Sequence, residues 1–135
     1  MNFPININVK IKSFNSHTEI LDACETCINY NLYQQGWTMF KWYSNHLDGH
    51  NIFSNIHIAY IDDVPVGVLG VLSSTYACYY NCGTYVIPEF RRKGIGSGLI
   101  NHALKQGIKL SASNCYNVSI SFYKKALYDN PRYIS

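Results

Sequence analysis

From Val86 to Ile100 the chain reads VIPEFRRKGIGSGLI. The stretch joins the end of a strand to the start of a helix. Pro88 has no N–H to give to a ladder, so the strand stops there. Arg91, Arg92 and Lys93 follow, and glycines stand at 94, 96 and 98. Ile95, Leu99, Ala103 and Leu104 then recur at helical spacing, and the helix is expected to end near Gly107. Gly94 and Gly96 allow a sharp turn and a close approach of the backbone to a ligand. The amides of Lys93, Gly94, Ile95, Gly96 and Ser97 lie at a helix N-terminus, where unsatisfied N–H groups and the helix dipole favour a phosphate. The basic residues add charge-assisted contacts. A solvated basic turn with a glycine N-cap is the plainer reading of the same residues. A Walker A loop is excluded because no Gly-Lys-Ser/Thr is present. The dinucleotide fingerprint fails at Leu99, where its third glycine would stand.

Working outward, the run from Ala77 to Ile87 (ACYYNCGTYVI) reads as the strand feeding this loop. Before it, VPVGVLGVLS is almost wholly apolar, as a strand covered on both faces would be. Pro65 near its start is tolerable there. Asp62-Asp63 marks a tight turn back to a strand carrying Ile56, Ile58 and Tyr60. At the N-terminus Ile5, Ile7, Val9 and Ile11 alternate with Asn6, Asn8, Lys10 and Lys12, the pattern of a half-buried strand. Ser16-x-x-Glu19 is a capping box. The helix it opens carries Leu21, Cys24, Ile28 and Leu32 and is expected to run to Gln35-Gly36. Thr38 to Asp48-Gly49 reads as a second, short helix. After the glycine loop and its helix, IKLSAS reads as a fifth strand, and Asn117 caps a last helix through Val118, Ile120, Phe122 and Ala126. The expected fold is α/β of the α+β type, a single domain over 1–135. An antiparallel meander leads into a βαβ crossover, making a mixed sheet with helices on both faces.

Composition narrows the class. The chain has 135 residues, 47% of them hydrophobic and only 14% charged, with a net charge of +3. That charge is too small to argue for nucleic acid but suits an anionic small ligand. There is no signal-like h-region at the N-terminus and no stretch long enough to span a membrane, so a cytoplasmic protein is expected. The five cysteines then read as free thiols. Cys24, Cys27, Cys78 and Cys82 have the count for a four-thiolate zinc site. Cys24 and Cys27, however, fall three apart on the apolar face of a helix, where buried thiols are common. No metal is expected.

The sequence from Val86 to Gly96 resembles motif A of the GNAT N-acetyltransferase superfamily, V-x-P-x-x-R/Q-x-x-G-x-G/A. Val86, Pro88, Arg91, Gly94 and Gly96 match it position by position. IAYIDDVPVGVLGVLS is similar to that family's second-to-third strand hairpin, and SFYKKAL to its motif B. The resemblance implies that acetyl-CoA is bound as acyl donor and that its acetyl group passes directly to a primary amine. Thr84, Tyr85, Val86 and Ile87 would hold pantetheine as an added strand does. The amides from Arg92 through Lys93, Gly94, Ile95 and Gly96 to Ser97 would hold the pyrophosphate. Arg91 and Arg92 would meet the CoA phosphates through their side chains. Asn117 stands one position from the family's pantetheine-binding Asn. Tyr123 matches the motif-B Tyr that protonates the leaving thiolate. Many members carry a Glu on the fourth strand as base, and Ala77 to Ile87 holds no carboxylate. His57, acting through water, is the candidate base, with His102 ranked below it. The family usually adds two strands beyond the last helix. The acceptor side would then be open, or completed by a partner chain such as a homodimer. Neither a membrane nor nucleic acid is expected as a partner. A catalytically weak domain that senses acyl-CoA or contacts a partner protein is the alternative.

Overall fold

The computed structural model describes residues 8–32, 53–72 and 82–110. In chain order these form β1 (Val9–Phe14), α1 (His17–Asn29), β2 (Phe53–Ile61), β3 (Val64–Leu72), β4 (Cys82–Val86), a 3-10 turn at Pro88–Phe90 and α2 (Ile95–Lys105). The strands make one antiparallel sheet in the order β1-β2-β3-β4. Sequence order is therefore spatial order, as a meander requires.

Asp62 and Asp63 form the whole connection between β2 and β3, with Ile61 opposite Val64. Both have positive φ, 49° and 65°. A two-residue loop with both residues left-handed matches the twist of the flanking strands, and Asp tolerates that region better than most side chains. Strand β3 is buried from Pro65 to Leu72, because each of its faces is covered by a helix. On one side α1 packs Ile20, Cys24 and Cys27 against Ile56, Ile58 and Val68. On the other, α2 packs Ile95, Leu99 and Ala103 against Ala59, Leu69 and Val71. Gly67 makes the second contact possible. A Cβ there would lie 3.2 Å from Ile95 Cγ2, 3.3 Å from Val86 Cγ2 and 3.4 Å from Leu99 Cδ1, so the missing side chain lets α2 settle on the sheet.

Helix α1 ends earlier than its sequence pattern suggested. Asn31 turns left-handed at φ 55°. The Leu32 N–H bonds Cys27 O at 2.7 Å and the Asn31 N–H bonds Ile28 O at 3.3 Å. This is a Schellman ending with Asn in place of Gly. Leu32, which continues the helical spacing, is instead the buried residue just past the stop. The buried helical positions are Ile20, Ala23, Cys24 and Cys27, one position away from the stripe of Leu21 and Ile28. Helix α2 ends in the same motif at Gly107, φ 84°, with the Ile108 N–H on Ala103 O at 3.1 Å and the Gly107 N–H on Leu104 O at 3.0 Å.

Cys24 and Cys27 are fully buried in the α1 layer, whereas Cys82 lies in the α2 layer. The sheet separates them, so these three thiols cannot meet at one ion. Burial pushes the Cys24 thiol up to about 12 and raises Cys27 as well, with Cys24 beside it adding to the effect. Both are inert as nucleophiles at neutral pH. Residues 108–110, the start of the expected fifth strand, make no ladder pairing among the described residues. The rest of that strand, the second helix, the last helix, Cys78, Asn117 and Tyr123 lie outside the described residues.

Candidate functional site

The loop between β4 and α2 is built from both of its ends. The β4 ladder closes with the Ile87 N–H on Val66 O at 2.9 Å, and Pro88 then opens the 3-10 turn. Antiparallel strands point successive residues' backbone groups to alternate edges. With Ile87 bonded to β3, the N–H and C=O of Val86 face the outer edge of β4. There Arg91 folds back. Its Nε–H donates to Val86 O at 2.7 Å, and its guanidinium lies 5.2 Å from the centre of the Tyr85 ring. The Val86 carbonyl is thereby occupied, and its N–H faces the same edge. Arg92 is left-handed, φ 61°, a conformation that costs a bulky side chain about 1 kcal/mol. Gly94 follows at φ 83° as the N-cap of α2 and brings no side-chain cap. The first intrahelical bond here is from the Gly98 N–H to Gly94 O, 2.9 Å. The earlier N–H groups of α2 have no acceptor within the helix. The structure brings Val86, Ile87, Arg91, Arg92, Lys93, Gly94, Ile95, Gly96 and Ser97 together in one loop at one end of the sheet, with Thr84 and Tyr85 on the strand leading in.

His57 occupies a different place. It lies mid-strand on β2, opposite Ser13 of β1 and Leu69 of β3, and is fully buried. Its Nδ1 is 2.8 Å from Ser13 Oγ and its Nε2 is 2.6 Å from Asn55 Oδ1. Ser13 Oγ is in turn 2.9 Å from His102 Nε2 and 2.9 Å from Gln106 Nε2, which donates to it. Asn55 donates from Nδ2 to Ser54 Oγ at 2.9 Å. The two imidazoles stand edge to face, with centroids 5.7 Å apart. Burial, with His102 beside it, pushes the His57 imidazole down to about 4. His102 is lowered by its own partial burial first and by Lys105 second. His57 is therefore neutral at pH 7. Sequence reading singled out His57 and ranked His102 below it, but missed Ser13, Asn55 and Gln106. The alternation of β1 does place Ser13 on the same face as Val9 and Ile11. No local pattern, however, shows that β2 and α2 each send a histidine to meet it.

The family described as Acetyltransferase (GNAT) family matches residues 16–127. The chain belongs to the GNAT acetyltransferase family. Solved structures similar to this GNAT chain include an aminoglycoside N-acetyltransferase in complex with CoA. That structure has 18% identity and a TM-score of 0.59, over 91% of this chain and 89% of the other. An aminoglycoside acetyltransferase from an uncultured soil metagenomic sample, in complex with sisomicin, is 18% identical with a TM-score of 0.53. It covers 94% of this chain and 90% of that one. A GCN5-related N-acetyltransferase from Ralstonia eutropha JMP134 is 12% identical with a TM-score of 0.50, over 95% and 97%. At these identities the likeness is one of fold. No curated protein matches the chain. The GNAT fold accounts for the antiparallel meander and for a helix on each face. In the described residues no helix is long and apolar enough to cross a membrane.

Proposed function

We propose that this GNAT domain binds acetyl-CoA at the β4–α2 loop and transfers its acetyl group directly to a primary amine on a protein or a small molecule. One observation carries the reading. An eleven-residue helix begins with a left-handed glycine and no side-chain cap, directly after the edge of β4, behind three consecutive basic residues. The free N–H groups and the dipole of such a helix suit a pyrophosphate. In this reading the amides from Arg92 to Ser97 hold the pyrophosphate, with the Arg92 and Lys93 side chains beside it. Arg91 spends one of its five N–H donors on Val86 O and offers the rest to a phosphate. Pantetheine lies along Thr84 to Ile87, with Asn117 assisting. The domain is proposed to act as a cytoplasmic protein, without metal, on a soluble amine.

The chemistry is attack of a neutral amine on the thioester carbonyl. An alkylamine with a pKa near 10.4 is unprotonated in only about one molecule in two thousand at neutral pH, so its proton must be removed or its charge disfavoured by desolvation. The outward Val86 N–H, its own carbonyl held by Arg91, is the donor proposed for the tetrahedral oxyanion. The carbon–sulfur bond then breaks, and the CoA thiolate takes a proton from Tyr123. His57, if it serves as base, does so indirectly: both of its ring nitrogens are bonded, and its low pKa lets it hold a proton only in passing. Neither β4 nor β3 contributes a carboxylate. That observation supports the second reading, a domain that binds acyl-CoA with little turnover.

The test is thermal unfolding with and without acetyl-CoA, followed by thiol release against a panel of amines. The melting temperature is expected to rise with acetyl-CoA, and Gly96→Asp is expected to abolish the rise by setting a carboxylate at the phosphate site. No rise in the parent protein rejects both readings. A rise without thiol release for any amine selects the second.

A further inference from the structure

The Ser13, His57 and His102 contacts join three elements that are distant in sequence. Ser13 and His57 are 44 residues apart, and Ser13 and His102 are 89 apart. Their hydrogen atoms can be assigned by following the acceptors. Asn55 Oδ1 accepts from His57 Nε2, so a neutral His57 presents a bare Nδ1. Ser13 has one hydroxyl hydrogen and donates it there. Its oxygen accepts from Gln106 Nε2 at 2.9 Å and faces His102 Nε2 at 2.9 Å; Gln106 Nε2 also lies 3.1 Å from His102 Nε2 and Gln106 Oε1 lies 3.2 Å from Ser13 Oγ, so the proton on His102 is set by its tautomer. These contacts join Ser13, His57, His102 and Gln106 into one polar cluster. It crosses the layer boundary: Ser13 and His57 belong to the sheet, while His102 and Gln106 sit four residues apart on one side of α2.

The charge environment is one-sided. From β1 the pair meets Ser13, and from β3 it meets Leu69. From α2 come His102 and, towards solvent, Lys105, while β4 adds the buried Cys82 to the same layer. Lys109 follows α2 on the exposed side. None of β1, β2, β3, β4 or α2 contains Asp or Glu. Among the described residues of these elements, a proton added to the pair finds no anion, only a second imidazole and a lysine.

Helix α2 is seated on the sheet along its length by Ile95, Leu99, Ile100, Ala103 and Leu104, and Ser13 adds a polar tie near its C-terminus. A helix is a stiff rod rising about 1.5 Å per residue, so freeing one end redirects the amides at the other. We propose that Ser13, His57, His102 and Gln106 form a proton-sensitive latch that sets the orientation of α2 and, through it, of the Gly94 to Ser97 amides that receive the CoA pyrophosphate. These are positioning residues. The inference rests on the acyl-CoA reading for its ligand but not for its latch.

The experiment measures CoA binding by calorimetry near pH 7.5 and near pH 5, alongside amide hydrogen exchange of Leu99 to Lys105 without ligand. Parent, His102→Gln, Ser13→Ala and Ser13→Thr proteins are compared. On acidification the parent is expected to lose about tenfold more CoA affinity than His102→Gln. The ligand's own phosphate titration is common to both and cancels. Ser13→Ala should bind weakly at both pH values, and Ser13→Thr, which keeps the hydroxyl, should restore parent behaviour. Exchange of the α2 amides should quicken more at low pH in the parent than in His102→Gln, which keeps His57. Equal pH profiles for parent and His102→Gln overturn the latch, as does parent-like affinity in Ser13→Ala. Should Ser13→Ala fail to fold, the His102→Gln comparison decides. CoA binding with pH-independent exchange rejects the latch alone. A pH-dependent exchange switch in a protein that binds no CoA near pH 7.5 rejects the acyl-CoA reading and the positioning role with it.

Discussion

Helix α1 begins with Ser16 and Glu19 closing on each other. The Glu19 N–H donates to Ser16 Oγ at 3.3 Å and the Ser16 N–H donates to Glu19 Oε1 at 3.0 Å, which lowers the Glu19 carboxyl chiefly through the Ser16 backbone bond. Helix α2 begins with Gly94, which brings nothing. Both helices end in the same Schellman motif, and both bury one face on the same sheet. They differ at their N-termini. α1 starts with a reciprocal side-chain cap, whereas α2 starts with no side-chain cap. A helix start that omits an available local solution is where a ligand is best sought.

The strongest way to break this contrast is to move the α1 cap onto α2. Gly94→Ser with Ser97→Glu recreates the Ser-x-x-Glu spacing, and the new cap closes once residue 94 turns from φ 83° to the extended backbone that Ser16 has. CoA affinity is expected to fall by about a hundredfold or more, as a carboxylate occupies the anion site, and calorimetry reads this directly. Next comes the buried imidazole, which among the described residues only the α2 face carries. The folded-state pKa of His57 lies below the ordinary 6.5, at about 4. Between those values the unfolded chain binds more protons, so stability is complete above the upper value and is lost as pH falls towards the lower. At 1.36 kcal/mol per unit the loss amounts to about 3 kcal/mol. Urea midpoints from pH 7 to pH 4 check it, and His57→Gln should flatten the curve.

The seating of α2 is tested by Gly67→Val, which forces Ile95 and Leu99 away from β3. It should cost about 2 kcal/mol in denaturant unfolding and should weaken CoA binding. Ser16→Ala is the smallest change, about 1 kcal/mol of stability with CoA affinity unaltered. A change in affinity with that substitution would show that the two helix starts are not independent.

The same contrast explains what could be read in advance. Asp62-Asp63, the capping box, the doubly covered β3 and the Gly107 stop were all legible because each is a local preference that the fold keeps. The glycine loop was legible for the same reason: a helix start lacking a side-chain cap is visible in sequence. The end of α1 was misread because Asn31 adopts the left-handed turn usually given to Gly, while Leu32 keeps up the apolar spacing past the stop. The histidine chain was not legible as a unit. His57 looked like an isolated candidate on a strand, because Ser13 and His102 reach it only through tertiary packing. Its burial, which sets both its pKa and its inability to meet an amine directly, likewise belongs to the assembled layers.

The two-residue reversal at Asp62-Asp63 also has a meaning in time. It brings β2 and β3 together across almost no intervening chain, while Ser13 must find His57 from 44 residues away. Closing the longer loop costs more entropy and happens later. The hairpin is expected to form first and wait as a half-built sheet, with His57 open to water until β1 and α2 arrive. A residue fully sealed in the finished protein is thus among the last to be enclosed.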